Sequence, residues 1–489
     1  MADQTTGRVV IRNKDDVFEL INQERAVNRQ AVLIGLIALG GTFVDAYDFT
    51  SLGIGAVQLK TQFHLTSTSL GSLTASMAVG ALVGALVGGY YADRIGRLKM
   101  FLLDLALFVV SAIAAALAPN LGFLIVFRLL MGLGVGLDFP VALSFVAEFA
   151  SIRRKSRFVN GWQVMWYSAA TIGFLLLLGI HVGGATATLW RWAVGLGALP
   201  AGIVLALRYR FMDESPMWSA SHGDLEGAAR ILHRRYGVDA VVDPEAAKTA
   251  TVTKAATPLE SLKAEGILFS RRYRPRTILA GVIGATQSME YFALGFYLPT
   301  IIGLLFGKDL STVLWASALF NAFGIVGALI NLATTNRLGI RRMAIIGYSG
   351  VIVAMAVIGV FGHGAPATLT AVLLIAFIGF HSFGQGTAGM SMGALSYPTA
   401  IRGIGAGFTQ SVIRVGSIFG FYFFPLVLGA VGLYHTTLIL MAVPIIGLTT
   451  TLIIRWDPTG KDIEAEEDDL PALAVDGRLP GSALPLKEA

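Results

Sequence analysis

The sequence predicts an all-α membrane protein with twelve transmembrane helices in two pseudo-symmetric six-helix bundles. Three observations carry that expectation. Of 489 residues, 55% are hydrophobic and only 14% charged, with mean hydropathy +0.68, far from the balance of a soluble domain. About 20 apolar residues span a bilayer core, and twelve stretches reach that length. A short basic motif also occurs twice, after the second and the eighth stretch.

Residues 1–30 form a polar N-terminal segment without the apolar core and small-residue cleavage site of a signal peptide, so the first span is expected to stay in the mature chain. The spans run at 31–55, 70–91, 99–118, 122–147, 159–183 and 188–210, then at 276–305, 311–335, 341–361, 367–396, 404–431 and 434–454. Residues 211–275 divide them: a polar central loop carrying Arg230, Arg234, Arg235, Lys263, Arg271 and Arg272. The chain therefore reads as an N-terminal bundle over 31–210 and a C-terminal bundle over 276–454. The acidic, Pro- and Gly-containing tail at 455–489 reads as disordered.

Orientation follows from the basic residues. Arg25, Arg29, Arg94, Arg97, Lys99, Arg153, Arg154, the central loop, Arg337, Arg341, Arg342, Arg402 and Arg455 share one side, against mainly Lys60, Arg191 and Lys308 on the other. The positive-inside rule then places both termini in the cytoplasm of a multi-pass protein in a bacterial-type inner (plasma) membrane.

Several function classes are excluded. The net charge of +6 is spread between apolar spans, where it reports topology rather than a nucleic-acid partner. There are no cysteines, and the seven histidines lack metal-ligand spacing, so no metal or organic cofactor is expected. Neither HExxH, a phosphate loop nor a nucleophile–base arrangement supports an enzyme. A non-transporting membrane receptor is the alternative of another class, but the tail is short for a signalling extension.

The repeated motif reads Ala92-Asp93-Arg94-Ile95-Gly96-Arg97-Leu98-Lys99-Met100 in its first copy. The second reads Asn336-Arg337-Leu338-Gly339-Ile340-Arg341-Arg342-Met343. Two related bundles with a site between them near the midplane is what such repeats imply in secondary transporters. With GGYYADRIGRLK at 88–99, RLLMGLGVGLDFP at 128–140, WRWAVGLGALPAG at 190–202, DESPMW at 213–218 and YPTAIRGIGAG at 397–407, the chain resembles the major facilitator superfamily over nearly its whole length. The resemblance is to its sugar-porter-like metabolite:proton symporters. Glycines at 132, 134 and 136 suit close helix packing.

Charged residues inside spans are costly and normally serve function, by about 2.5 kcal/mol or more each on insertion scales. Asp45 and Asp48 lie one turn apart in the first span. At 1.5 Å per residue they sit roughly 20 to 25 Å from its cytoplasmic start, and Arg128 roughly 10 Å from the external start of the fourth. In a core of about 30 Å all three share the external half. The resemblance implies a proton-coupling pair of Asp48 and Arg128, since making and breaking such a pair changes a carboxylate's proton affinity. Local similarity of 45–49 and 136–150 to phosphate:proton symporters implies a proton path from Asp45 to Asp138. Asp104 is expected in the cytoplasmic charge cluster.

In the C-terminal bundle, Glu290 and Arg414 are the buried charges, and a salt bridge between them is one expectation. A substrate carboxylate on the planar Arg414 guanidinium is the other. Gln163, Tyr167, Tyr291 and Gln385 are further substrate-binding candidates, Trp166 a weaker one, and His381 is expected to hydrogen-bond a neighbour. The resemblance implies a cytoplasmic latch from Asp93, Arg94, Arg97, Glu148 and Arg153, weakened in the second copy where Asn336 replaces the aspartate. The function expected is proton-coupled import of a small organic anion, such as a sugar acid or aromatic acid, by a monomer in membrane lipid. A neutral sugar or inorganic phosphate is the alternative, the latter disfavoured by Thr286, Leu294 and Phe139.

Overall fold

The computed structural model describes residues 9–13, 16–17, 19–20, 29–149, 159–185, 188–249, 266–307, 309–461 and 463, with some helical side chains outside the description. Among these, ten helical segments are long and apolar enough to cross a membrane. The aspartate-bearing helix Arg29–Gln62 adds a further 34 residues. The last of the ten, 401–453, is broken at Gly432, whose φ of 75° lies outside helical space. The helices form two bundles.

Glycine sets the closest approaches within the N-terminal bundle. A Cβ on Gly80 or Gly84 of helix Ser67–Ile95, or on Gly132 or Gly136 of helix Leu121–Phe149, would run into the partner's backbone. Small residues are what let helices pack this tightly in lipid, where burial from water supplies no drive.

Three long paths through the bundles are interrupted. Helix Arg274–Glu290 passes through a π-helical turn, Tyr291–Gly295, before Leu298–Phe306. Helix Ala367–Phe383 breaks at Gly384 and resumes as Gln385–Leu395. Leu189–Gly195 gives way to Ala198–Phe211. Helix breaks at depth are tolerated where protein or a cavity can satisfy the backbone, which marks candidate sites.

Both ends of the repeated motif are capped alike. Gly96 (φ 104°) and Gly339 (φ 80°) adopt left-handed backbone that only glycine takes easily. Each precedes a helix whose free N–H groups meet an acid from beyond the last helix of its own bundle. Glu214 accepts from the Arg97 N–H (2.9 Å) and the Leu98 N–H (3.2 Å). Asp457 accepts from the Arg341 N–H (3.0 Å), while Thr459 accepts from the Ile340 N–H (3.1 Å). The second copy thus finds its acid at Asp457, at the start of a tail expected to be disordered. Trp456 there donates to Ser396 (3.0 Å) and stacks under Arg276 (3.8 Å). The rest of the tail, from 464, lies outside the described residues.

The N-terminal segment and the central loop are more than connectors. Val9–Ile11 pairs in parallel with Ala240–Val242, over a satellite core of Ile11, Val17, Leu20, Leu225, Ala228 and Leu232. These two segments therefore lie on the same side of the bundles.

Candidate functional site

One stripe of helix 29–62 organises the N-terminal bundle's buried charges. Asp48 meets Arg128 at 2.5 Å, both fully buried. Two turns earlier, Gly41 abuts a second pair: Arg208 donates to both oxygens of Asp138, at 2.7 and 3.2 Å. A Cβ on Gly41 would collide with both members, so glycine is what brings this backbone to them. Arg208 also donates to the Ala38 carbonyl (2.8 Å) and lies over the Phe101 ring (4.2 Å). Asp45 sits between the two pairs, with Asp138, Arg414, Arg208 and Asp48 as its charged neighbours.

Asp138, expected on a proton path from Asp45, is bonded by Arg208, a guanidinium the sequence does not single out. One sequence expectation changes here. Asp104, expected in the surface charge cluster, is 2% exposed and lies 3.8 Å from Arg208.

Between the bundles lies a narrow cavity of about 20 Å³. Trp162, Gln163, Trp166, Gln287, Tyr291, Phe292, His381, Met390, Ile413 and Arg414 line it. Both helix breaks of the C-terminal bundle fall beside it. The Trp166 indole N–H donates to the Tyr291 hydroxyl (2.8 Å) across the bundles. Arg414 places its guanidinium 5.5 Å from the Phe49 ring.

Glu290, Gln385 and Tyr167, expected as substrate ligands, stand behind this wall rather than in it. Glu290 accepts from Gln385 (2.7 Å), with His381 Nε2 at 3.8 Å. The expected Glu290–Arg414 salt bridge does not form; Arg414 has Asp45 as its carboxylate neighbour. His381 hydrogen-bonds its neighbours as expected: its Nε2–H donates to the Gln287 carbonyl (3.2 Å), and the Tyr167 hydroxyl lies 3.3 Å from Nδ1.

Contacts bridge the bundles on both sides of the cavity. Toward the end carrying Lys60, Phe49 meets Phe292 and Phe421 at 5.2 and 5.8 Å between ring centres, and the Thr74 and Tyr297 hydroxyls are 2.9 Å apart. Beyond them a vestibule of about 450 Å³ opens, lined in part by Lys60, Tyr297 and Tyr434. Toward the basic end, Asn160 donates to Asn331 (2.8 Å) and Thr335 (2.9 Å) and accepts from Ser391 (2.5 Å).

That neutral hub was missed in sequence; a lone asparagine beside a basic loop carries no distinguishing signal. Of the expected latch, Arg94 is exposed and Arg97 half-buried. The side chains of Asp93 and Glu148, and all of Arg153, lie outside the described residues.

Two bundles around a central cavity, with ion pairs buried inside one of them, define a secondary transporter rather than an enzyme. Residues 33–467 match the family model described as Sugar (and other) transporter, and the chain belongs to that family. It is 30% identical over 437 residues to the Inner membrane metabolite transport protein YgcS of Escherichia coli (strain K12), covering 89% of this chain and 93% of that one. Among solved structures it is similar to the major facilitator superfamily proton:xylose symporter XylE bound to 6-bromo-6-deoxy-D-glucose. The TM-score there is 0.74 at 19% identity, over 90% of this chain and 99% of the other. A partially occluded inward-open form of XylE, from E. coli, gives a TM-score of 0.73 at 18% identity, over 89% and 100%. The fold is therefore that of the major facilitator superfamily.

Proposed function

We propose that this chain is a proton-coupled symporter importing a small polar solute of the sugar class by alternating access. The observation that carries this is the cavity itself. Trp162, Trp166 and Tyr291 offer flat apolar faces, while Gln163, Gln287 and the Tyr291 hydroxyl offer hydrogen bonds, the mixture a hydroxylated ring uses. The family's description and the xylose transported by the similar symporter favour the same class.

Coupling is assigned to Asp48 with Arg128, one turn of helix from Asp45, which neighbours the cavity's Arg414. Protonation of Asp48 would release Arg128, and rocking of the bundles would re-form the pair on the other side. Twelve spans are proposed, counting helix 29–62 and a division of 401–453 at Gly432, split six and six about the central segment. Both termini are assigned to the cytoplasm and the protein to the inner membrane, in keeping with the basic residues and with the name of the relative YgcS. The chain is proposed to work as a monomer.

A second reading has a specific observation behind it. Arg414 lines the cavity, and its guanidinium suits a carboxylate; a sugar acid or aromatic acid would then be the solute.

The test uses proteoliposomes and sugars, sugar acids, aromatic acids and phosphate. A substrate of the first class should enter with a measurable alkalinisation of the outer medium, and Asp48→Asn should abolish that proton movement while exchange continues. Uptake without proton movement, or proton-coupled accumulation retained in Asp48→Asn, removes the coupling assignment.

A further inference from the structure

The buried charges around Arg208 do not balance. Asp138 is 3% exposed, Asp104 2% and Arg208 0%, and Asp45 lies against them at 3%. Asp104 and Asp138 share Arg208, and Asp45 lies between Arg208 and Arg414, so three carboxyl groups face two guanidinium groups. An uncompensated charge at such a site is strongly disfavoured, so full ionisation of all three is not a state the site sustains.

The contacts say where a proton fits. A carboxyl oxygen of Asp104 lies within hydrogen-bonding reach of Asp138. Two carboxyl groups attract at that distance only with a proton between them. Asp104's other oxygen is occupied by its own chain, accepting from the Leu105 N–H. Its Oδ2, facing Arg208 at 3.8 Å, has no other donor. Asp45 Oδ2 is likewise buried without a hydrogen-bond donor, with Asp138 among its charged neighbours.

We propose that Asp104, Asp138 and Arg208 form a second proton-binding site in the N-terminal bundle, loaded through Asp45 and set toward the basic end from the Asp48–Arg128 pair. This rests on the symport reading above. Arg208 is its fixed counter-charge, held by the Ala38 carbonyl and the Phe101 ring. When a proton passes from the Asp45 carboxyl to Asp138, Asp45 becomes the anion, beside Arg414 and Arg208. Asp138 becomes neutral and can donate to Asp104, which then remains as the anionic partner of Arg208. One O–H bond breaks and one forms, and the total charge is unchanged. The groups facing the site are Asp45 from helix 29–62, Asp104 from helix 97–116, Asp138 from helix 121–149 and Arg208 from helix 198–211, with Arg414 and Asp48 acting on Asp45.

The experiment compares uphill uptake driven by a proton gradient with counterflow exchange in proteoliposomes, using a substrate for which the wild type shows proton movement. A wild type without proton movement overturns the symport reading itself. Given that movement, Asp104→Asn should lower the ratio of driven accumulation to counterflow more than tenfold and displace its pH profile. Arg208→Lys should restore part of what Arg208→Gln loses. The charge-matched pair Asp138→Asn with Arg208→Gln removes one charge of each sign, so it remains informative where single variants fail to fold; it should show the same loss of ratio. A wild-type ratio and pH profile in Asp104→Asn, or in the paired variant, overturns the second site.

Discussion

The two bundles handle buried charge in opposite ways. In the N-terminal bundle each aspartate that lies deep in the membrane has an arginine of the same bundle at hand, Asp48 with Arg128 and Asp138 with Arg208. In the C-terminal bundle the two expected partners stand apart: Glu290 accepts from Gln385, and Arg414 faces the cavity and the other bundle's Phe49 and Asp45. A bundle whose buried carboxyl groups have arginines of their own can change protonation without help from the solute. A bundle that turns a guanidinium toward the cavity gives the solute something to bind. The division suggests that proton handling belongs to the first bundle and solute choice to the second.

Arg414→Ala is the substitution expected to strain that comparison most. If the solute is an anion, losing the cavity's guanidinium should weaken binding more than tenfold, corresponding to more than about 1.4 kcal/mol. A neutral sugar should bind within a few-fold of wild type. Isothermal titration of both classes on one preparation separates these cases. Unchanged affinity for every anion would sink the carboxylate reading and leave Arg414 as a partner of Asp45.

A smaller effect is expected at the basic end. Asn160 satisfies hydrogen-bonding groups on two helices of the other bundle, and its truncation leaves them buried and unmet, a cost of about 1 to 3 kcal/mol, part of which water recovers once that end opens. Asn160→Ala should therefore shift the population toward the form open at the basic end by several-fold. The chain has no cysteine, so a pair of introduced cysteines carrying spin labels reports that distance without background. A distance distribution identical to wild type would show that the hub does not hold the bundles closed.

What could be read from sequence follows a physical line. Hydropathy exposes spans because each must match a fixed apolar thickness, and Asp48 and Arg128 stood out because charge in lipid is rare. Arg208 escaped because it sits in the last turn of an apolar stretch, among Arg210 and other basic residues that usually report only orientation. Its burial depends on Gly41 of a distant helix, a contact no local pattern encodes. Asp457 escaped for a similar reason: a carboxylate in a polar tail looks solvated until the helix end it caps is seen. Glu290 and Arg414 were correctly singled out as buried charges. Whether they met was a question of which faces of two helices turned together, and sequence spacing is silent on that.

The smallest effect is expected at Asp309, which caps helix Leu310–Leu338 at the end opposite the basic loops. It accepts from the Thr312 N–H (2.8 Å) and the Thr312 hydroxyl (2.7 Å). These bonds, the hydroxyl's first, favour its ionised form and hold its carboxyl below the usual aspartate value of 3.8. Whatever the cap contributes is thus complete above pH about 4. It is lost only as pH falls through the lowered value. An acid that behaves this way cannot produce a change in transport across pH about 5 to 8. Asp309→Asn, whose side-chain oxygen still caps, should leave the pH profile of uptake over that range superimposable on wild type. A displaced profile would mean that an exposed carboxylate contributes to coupling, and the assignment of proton handling to the first bundle alone would fall.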